Sequence, residues 1–149
     1  SEMGIRELHP YVFAKSDYPY LPQLNFVRIE NQPFNIGTLE IIPIEVFHAK
    51  MPVKGFRIKD FAYITDCKTI SDPEIKKLEG VKTLVVNALR DEEHYSHFTF
   101  NQAIRFVEQI QPQQTYFIHM SHQAGLHAER EKKLPQGIAL AYDGLKFEV

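Results

Sequence analysis

Imidazole and carboxylate side chains follow the apolar runs of this sequence, at positions where a folded sheet would end its strands. The aromatic and β-branched run 114–118 leads directly to His119 and His122. Folds of sheets and helices usually build their sites at the carboxyl ends of strands. Other apolar runs lead to four further candidates: His48, Asp66, His94 and His97. Several imidazoles with one carboxylate are ligands typical of zinc, manganese or iron centres that support hydrolysis. The residue types therefore predict a metal centre.

Each candidate also has an ordinary structural explanation. His48 and His94 are compatible with surface or solvated loop histidines. Asp66 is compatible with a capping or turn aspartate, although a carboxylate at the tip of a buried strand must be solvated, hydrogen-bonded or bound to a cation. Thr99 can cap the following helix and so fix the loop that holds His97. Single positions therefore leave both explanations open, and the case for a site depends on convergence.

The pair after 114–118 is more informative than a lone histidine. Imidazoles three residues apart can face one centre where a strand turns into a loop, although His122 can equally orient His119 without binding a metal ion. Cys67 fits either a soft metal ligand or a small buried residue. His9 and His127 are expected on the surface.

The apolar periodicity predicts a β-rich α/β fold that positions these residues. Two hairpins come first, one from residues 24–29 and 38–47 with its turn at 35–37, and one from 55–58 and 61–65. Regular alternation then follows, with strands predicted at 82–87 and 114–118 around an amphipathic helix at 99–109.

Shorter elements complete the predicted order. The chain begins with a short helix within residues 3–13 and a Tyr/Pro-rich loop, and Ser71 with Pro73 marks the start of a helix that Gly80 ends. The remaining predicted elements are a helix at 124–134 and strands at 138–142 and 145–149.

The composition excludes several classes of protein. At 149 residues, with 44% hydrophobic and 24% charged content, the chain is expected to form a single domain with a sizeable core. Its formal net charge of -2 allows a nucleic-acid partner but gives it no support. One cysteine excludes an internal disulfide, and no apolar run approaches the roughly 18–20 residues that span a bilayer. No secretory signal is visible, so a cytoplasmic location without membrane contact is expected. The sequence also lacks a Gly-x-Ser-x-Gly elbow and a glycine-rich phosphate loop, which removes support for serine hydrolases and nucleotide binders.

The order of the site segments carries a resemblance to a known family. These segments are His48 after a strand, Phe61-Ala62-Tyr63-Ile64-Thr65-Asp66, Ser96-His97-Phe98-Thr99, Tyr116-Phe117-Ile118-His119-Met120-Ser121-His122 and Tyr142-Asp143-Gly144. Their order resembles the C-terminal half of metallo-β-lactamase-fold hydrolases. It is most similar to the branch of the carbon-phosphorus lyase accessory phosphodiesterase and the tRNA 3′-processing endonucleases. The implied fold is the αββα type of α/β fold, with a mixed sheet and flanking helices, of which this chain is the C-terminal half.

The resemblance also implies roles for the candidates. By it, His48 binds one metal ion, Asp66 bridges two divalent ions (zinc or manganese), and His119 completes the second site. His97 contacts substrate phosphate or assists proton transfer, which makes His97 and Asp66 the catalytic residues. By the same resemblance, His122 and His94 support the metal ligands and His97 without binding a metal ion themselves. The implied activity is hydrolysis of a small-molecule phosphate diester by metal-activated water.

One part of the family pattern is missing from the chain. The His-x-His-x-Asp-His motif of the family's N-terminal half does not occur, so at most three of the seven expected protein ligands are present. We therefore expect the chain alone to be inactive and to be part of a larger hydrolase domain. Its exposed apolar face is expected to pair with the missing half or to form a homodimer. The alternative is a non-catalytic binding or assembly domain that kept the fold.

Overall fold

The computed structural model describes residues 2–14, 20–22 and 24–148, which divide into two compact units, Ser1–Glu30 and Asn31–Val149. Part of the predicted Tyr/Pro-rich loop, at 15–19 and 23, lies outside the described residues. Among the described residues, no helix has the length and apolar character needed to cross a membrane.

The first unit contains helix α1 (Glu2–Leu8) and a 3-10 turn at Pro10–Val12. The Arg6 guanidinium lies 4.4 Å over the ring of Phe13, which stacks on Phe26. The predicted strand at 24–29 is wrong, because residues 24–30 have no regular structure and no strand partner. Alternation of apolar and polar residues predicts a strand only where a neighbouring strand completes the hydrogen bonds.

The second unit contains one mixed sheet with flanking helices, as the sequence predicts. Its strands run in the order β1-β2-β3-β4-β6-β7-β8, and β5 pairs with β2. The strands are β1 (Phe34–Ile36), β2 (Leu39–His48), β3 (Met51–Ile58), β4 (Phe61–Ile64), β5 (Thr69–Ile70), β6 (Thr83–Asn87), β7 (Gln114–Ile118) and β8 (Ile138–Leu140). The helices are α2 (Asp72–Lys76), α3 (Phe100–Ile110) and α4 (His127–Glu131), with a 3-10 turn at His122–Ala124.

Strand direction changes once across this sheet. β1 to β4 are antiparallel neighbours, whereas β4, β6, β7 and β8 are parallel. The first hairpin differs from its prediction, because β2 pairs with the nearer β1 through a turn at Gly37 and Thr38. Gly37 has a φ of 60°, which glycine adopts without the steric cost of a Cβ. β3 is also longer than predicted and begins after a two-residue turn at Ala49 and Lys50.

The hydrophobic core lies on one face of the sheet. Alternate residues of the strands point to this face, and α3 covers it with the side chains of Phe100, Ala103, Phe106 and Val107. The strand residues in the core are Ile44, Val46, Ala62, Ile64, Leu84, Val86, Phe117 and Leu140. Burial of this face holds the strand ends in place.

The opposite face carries an apolar row in register across six strands. Neighbouring residues of this row are paired from β2 to β8 and are Pro43, Phe56, Tyr63, Val85, Tyr116 and Ala139. Phe147 stacks on Tyr116 at 5.0 Å, so the C-terminal segment covers part of this face. Residues 145–148 are not a strand, and that prediction is wrong. Tyr63 in the middle of the row remains 42% exposed.

Two polar devices hold the helices against the sheet. Thr99 and Gln102 form a capping box at the start of α3, in which each side chain accepts a hydrogen bond from the other residue's backbone N–H. The buried Glu74 carboxylate of α2 accepts hydrogen bonds from the Glu45 N–H of β2, from Asn31 and from Lys77. Burial raises the pKa of Glu74, but these donors outweigh it and hold the pKa below its usual value.

Candidate metal centre

Four polar residues lie at the same edge of the sheet. β2, β4, β6 and β7 run in one direction, because β3 is antiparallel to both β2 and β4, and the other pairings are parallel. His48 ends β2, Asn87 ends β6, His119 follows β7, and Asp66 lies two residues after β4. The predicted placement of His48, Asp66 and His119 at strand ends is thus what the structure shows.

Two of these residues have an unusual backbone conformation. Asp66 has a φ of 53° and His119 a φ of 62°, both in the left-handed region. Residues other than glycine rarely adopt this region, and such strain concentrates at functional sites. At each of these residues the chain turns immediately after its strand, and the two side chains approach one another.

The imidazoles converge on a single carboxylate oxygen. His97 Nε2 lies 3.0 Å from Asp66 Oδ1, and His119 Nε2 lies 3.5 Å from the same atom. The His97 ring stacks on that of His119 at 4.8 Å between centroids and meets the His48 ring edge-on at 4.6 Å. The cluster of His48, Asp66, His97 and His119 is hereafter called the Asp66 cluster.

A hydrogen-bonded trio lies behind His97. Ser96 Oγ is 3.0 Å from His97 Nδ1 and 3.3 Å from His94 Nδ1, and the two Nδ1 atoms are 3.1 Å apart. One of these nitrogens must therefore carry a proton and the other a lone pair. If His97 offers the Nε2 lone pair to a metal ion, its Nδ1–H donates to this pair of acceptors, which fixes the tautomer. His94 thus contacts His97, its supporting role stays a prediction, and Ser96 is a participant that the sequence did not reveal.

Burial controls the protonation of His97. Its removal from water lowers its pKa, the hydrogen bond with Asp66 raises it, and the nearby His119 and His48 lower it further. The net effect is a lowered pKa, so the imidazole is neutral at neutral pH. While Nε2–H donates to Asp66, the lone pair of the neutral ring lies on Nδ1, and a metal ion at Nε2 would replace this hydrogen bond.

Asn87 holds the loop that carries Asp66. This fully buried side chain accepts a hydrogen bond from Cys67 N–H at 2.7 Å through Oδ1 and donates to Cys67 O at 3.0 Å through Nδ2. Burial raises the pKa of the Cys67 thiol to about 12, so without a metal ion this cysteine is a small, buried and protonated residue. The sequence signal that could have identified Asn87 was its position, as a polar residue, at the end of an apolar strand.

The loop that contains His94 and His97 is attached to neighbouring elements by polar side chains. Glu93 forms an ion pair with Lys68, which follows Asp66 by two residues, and accepts a hydrogen bond from Gln102 at 3.0 Å. Lys68 also donates to Gln102 at 3.1 Å. Sequence patterns did not predict these contacts, because the residues come from three separate segments.

The other histidines are farther from the chemistry. His122 begins the 3-10 turn after β7, is exposed, and makes no hydrogen bond or ring contact with another described residue. Its supporting role stays a prediction. His9 and His127 are exposed, as expected.

The donor set fits a divalent metal ion. One ligand atom from each of His48, Asp66 and His97 lies within 4.8 Å of the others. Ligands that share an ion at about 2.0–2.2 Å lie within about 4.4 Å of one another, so little adjustment is needed. The structure thus places His97 among the residues within reach of an ion. His119 is connected to this set through its contact with Asp66. The individual roles of these residues stay predictions.

Fold and site together define a metallo-β-lactamase-fold protein. A family model described as beta-lactamase superfamily domain matches residues 3–120, and the chain belongs to this family. The resemblance found in the order of the site segments is thereby confirmed, as is the mixed α/β fold class.

The relatives that resemble this chain are longer than it is. An octanoyltransferase from Porphyromonas gingivalis (strain ATCC BAA-308 / W83) is 38% identical over 145 residues, which are 96% of this chain and 30% of that protein. The crystal structure of a diphosphatase from the PhnP family is 31% identical, with a TM-score of 0.87 over 99% of this chain and 55% of that one. The metallo-beta-lactamase fold protein YhfI from Bacillus subtilis is 18% identical, with a TM-score of 0.70 over 93% of this chain and 59% of that one. This chain therefore spans about a third to three fifths of these relatives.

Proposed function

We propose that this chain contributes the second half of the site of a dinuclear metal-dependent hydrolase that cleaves phosphate diesters. The observation that supports this most directly is the convergence of three imidazoles on Asp66 at the carboxyl edge of the sheet. The similarity to a protein described as a diphosphatase favours phosphate chemistry over other hydrolysis.

In this proposal the Asp66 cluster divides into ligands and a substrate-facing group. His48 and His119 would each hold one ion, and Asp66 would contact both. When bound, divalent ions lower the pKa of water and polarise a phosphoryl oxygen. His97 is within 3.0 Å of Asp66, and its Nε2 contacts substrate phosphate or exchanges a proton with it. The trio with Ser96 and His94 keeps the His97 ring in one orientation.

The donor set of this chain is small for two ions. Three of the converging residues are ligands in this proposal, whereas a two-metal site of this resemblance uses seven protein ligands, so we propose that the others lie on residues outside the chain. The relatives are long enough to contain them, since 45% of the diphosphatase structure lies outside the match.

The exposed Tyr63 in the apolar row supports a matching proposal about partners. We propose that a second copy of the chain, or further residues of a longer protein, covers the face around Tyr63. Light scattering of the purified chain tests this, with Tyr63→Glu as the variant and the exposed Tyr142→Glu as its control. A monomeric wild-type chain at high concentration would exclude the second copy as occupant.

Hydrolysis of bis(p-nitrophenyl) phosphate by the full-length protein with manganese or zinc tests the activity. We expect Asp66→Ala and His119→Ala to abolish turnover, whereas the matched surface variants Asp72→Ala and His127→Ala keep it. Because one relative is named octanoyltransferase, an octanoyl thioester is the second substrate. Activity retained in both cluster variants would refute the assignment, and cleavage of the thioester alone would replace the substrate class.

Metal analysis separates the enzyme from the non-catalytic alternative. We expect full-length protein of correct mass to contain two divalent ions per chain. A full-length protein without metal and without activity toward either substrate would favour a binding or assembly domain.

A further inference from the structure

We propose that Arg130 is a positioning residue that holds together the two loops from which the Asp66 cluster takes its histidines. One loop follows β6 and contains His94 and His97, and the other follows β7 and contains His119. The kinetic part of the test rests on the function proposed above, and the hydrogen-exchange part is independent of it.

The guanidinium of Arg130 contacts both loops at once. Its Nη1 and Nη2 donate to the two carboxylate oxygens of Asp91 at 2.9 and 2.6 Å, and its Nε donates to Ala124 O at 3.0 Å. Asp91 precedes His94 in the first loop. Ala124 ends the 3-10 turn that follows His119 in the second.

The geometry of this contact requires arginine. A planar fork can form a bidentate pair with one carboxylate while its third nitrogen points elsewhere, and a lysine ammonium offers only a point charge. The guanidinium also lies 4.4 Å over the ring of Phe100, the first residue of α3, and its side chain is only 15% exposed. Three surfaces therefore fix its position.

A second set of bonds joins the same two loops closer to the cluster. Arg90 donates to the Gln123 side chain, and Ser121 N–H donates to Leu89 O at 2.9 Å. Ser121 is two residues after His119. Arg130 therefore supports the loop connection from its outer side.

The contact joins two loops and does not anchor a long helix. Asp91 is 53% exposed, which screens the ion pair, although a bidentate arginine pair contributes more than a typical surface pair. α4 has five residues, which are too few to form a stable helix alone. The contact therefore does not fix a rigid helix in place. The stacking of His97 on His119, at 4.8 Å, depends instead on how the two loops meet. A shift of about 1 Å in a site of this type can cost about a hundredfold in rate.

The test combines amide hydrogen exchange by NMR in the metal-free protein with phosphodiester kinetics of the metal-loaded protein. For Arg130→Met, which keeps the apolar stem, we expect exchange of the Ser121 amide, which donates to Leu89 O, to accelerate at least tenfold while exchange within β6 is unchanged. We expect kcat to fall about tenfold to a hundredfold with KM within twofold. Arg130→Lys is expected to be intermediate, and Arg105→Met, at an exposed arginine of α3, to match the wild type.

Asp91→Ala provides an independent route should Arg130→Met not fold. It is expected to accelerate exchange of the same Ser121 amide, and adding it to Arg130→Met should cause no further loss, because both variants remove the same interaction. Unchanged exchange at Ser121 in both variants would overturn the proposal, as would acceleration spread evenly over β6. If the wild-type protein hydrolyses no phosphodiester, the proposed function fails, and the exchange data alone decide the role of Arg130.

Discussion

Replacement of Asn87 by alanine should destabilise the protein by about 2–4 kcal/mol. The variant leaves Cys67 N–H buried without its acceptor, which costs about 1–3 kcal/mol. Cys67 O keeps a hydrogen bond from Phe98 N–H at 2.9 Å, so loss of the Nδ2 donor costs only about 1 kcal/mol more. The loss is smaller than the stability of a typical domain, about 5–15 kcal/mol, so the variant should still fold.

Urea denaturation followed by circular dichroism measures this change as a difference in the free energy of unfolding. Asn101→Ala is the matched control, because Asn101 is exposed on α3, and we expect a change within about 0.5 kcal/mol. The same Asn87→Ala variant should lose metal affinity, since Asp66 lies directly before Cys67. A loss below about 1 kcal/mol would refute the reasoning that Asn87 is needed for the Asp66 loop.

A charged variant at the same position separates hydrogen bonding from shape. Asn87→Asp keeps the acceptor for Cys67 N–H but places a second oxygen against Cys67 O, so only its protonated form can replace both bonds. Burial should raise the pKa of the new carboxyl in the folded state, and its proton should therefore bind preferentially to the folded protein. The variant should be closest to wild type at acid pH and lose stability as the pH rises. Equal destabilisation at pH 5 and pH 8 would contradict this account.

Three further predictions concern the scaffold. Because the pKa of Glu74 is lowered in the folded protein, the ionised carboxylate stabilises the fold above the usual pKa of about 4.3, and this stabilisation disappears as the pH falls through the folded-state pKa. Glu74→Gln should therefore lower the free energy of unfolding, measured by urea titration, by about 1–3 kcal/mol at pH 7 and progressively less below pH 4. Thr115 Oγ1 is buried and has no hydrogen-bond partner among the described residues, so Thr115→Val should raise the free energy of unfolding by about 1 kcal/mol, and a lower melting temperature would contradict this. Thr99→Ala should cost about 0.5–2 kcal/mol by removing half of the capping box of α3, measured against Thr38→Ala in the β1–β2 turn; equal losses would show that the cap is unimportant.

Local patterns predicted most of the elements that position the site. The strand at 82–87, the helix at 99–109 and the strand at 114–118 appear in the structure as β6, α3 and β7 with ends shifted by one residue or less. These segments are strongly periodic or continuously apolar, and each buries its apolar side in the same core. The failures at 24–29 and 145–149 share a cause. Strand formation there depends on a partner strand, and residue types do not reveal whether one is available.

Residue types and order by themselves determined that imidazoles and one aspartate would stand at strand ends, because apolar runs end where polar side chains begin. They also carried the family resemblance. Only the tertiary structure decided that His97 reaches Asp66 at 3.0 Å, that Ser96 and His94 lie behind it, and that Asn87 and Arg130 hold the loops. These contacts join residues from different strands and loops, and their distances depend on strand order and on the left-handed turns at Asp66 and His119. Neither is a property of any short stretch of sequence.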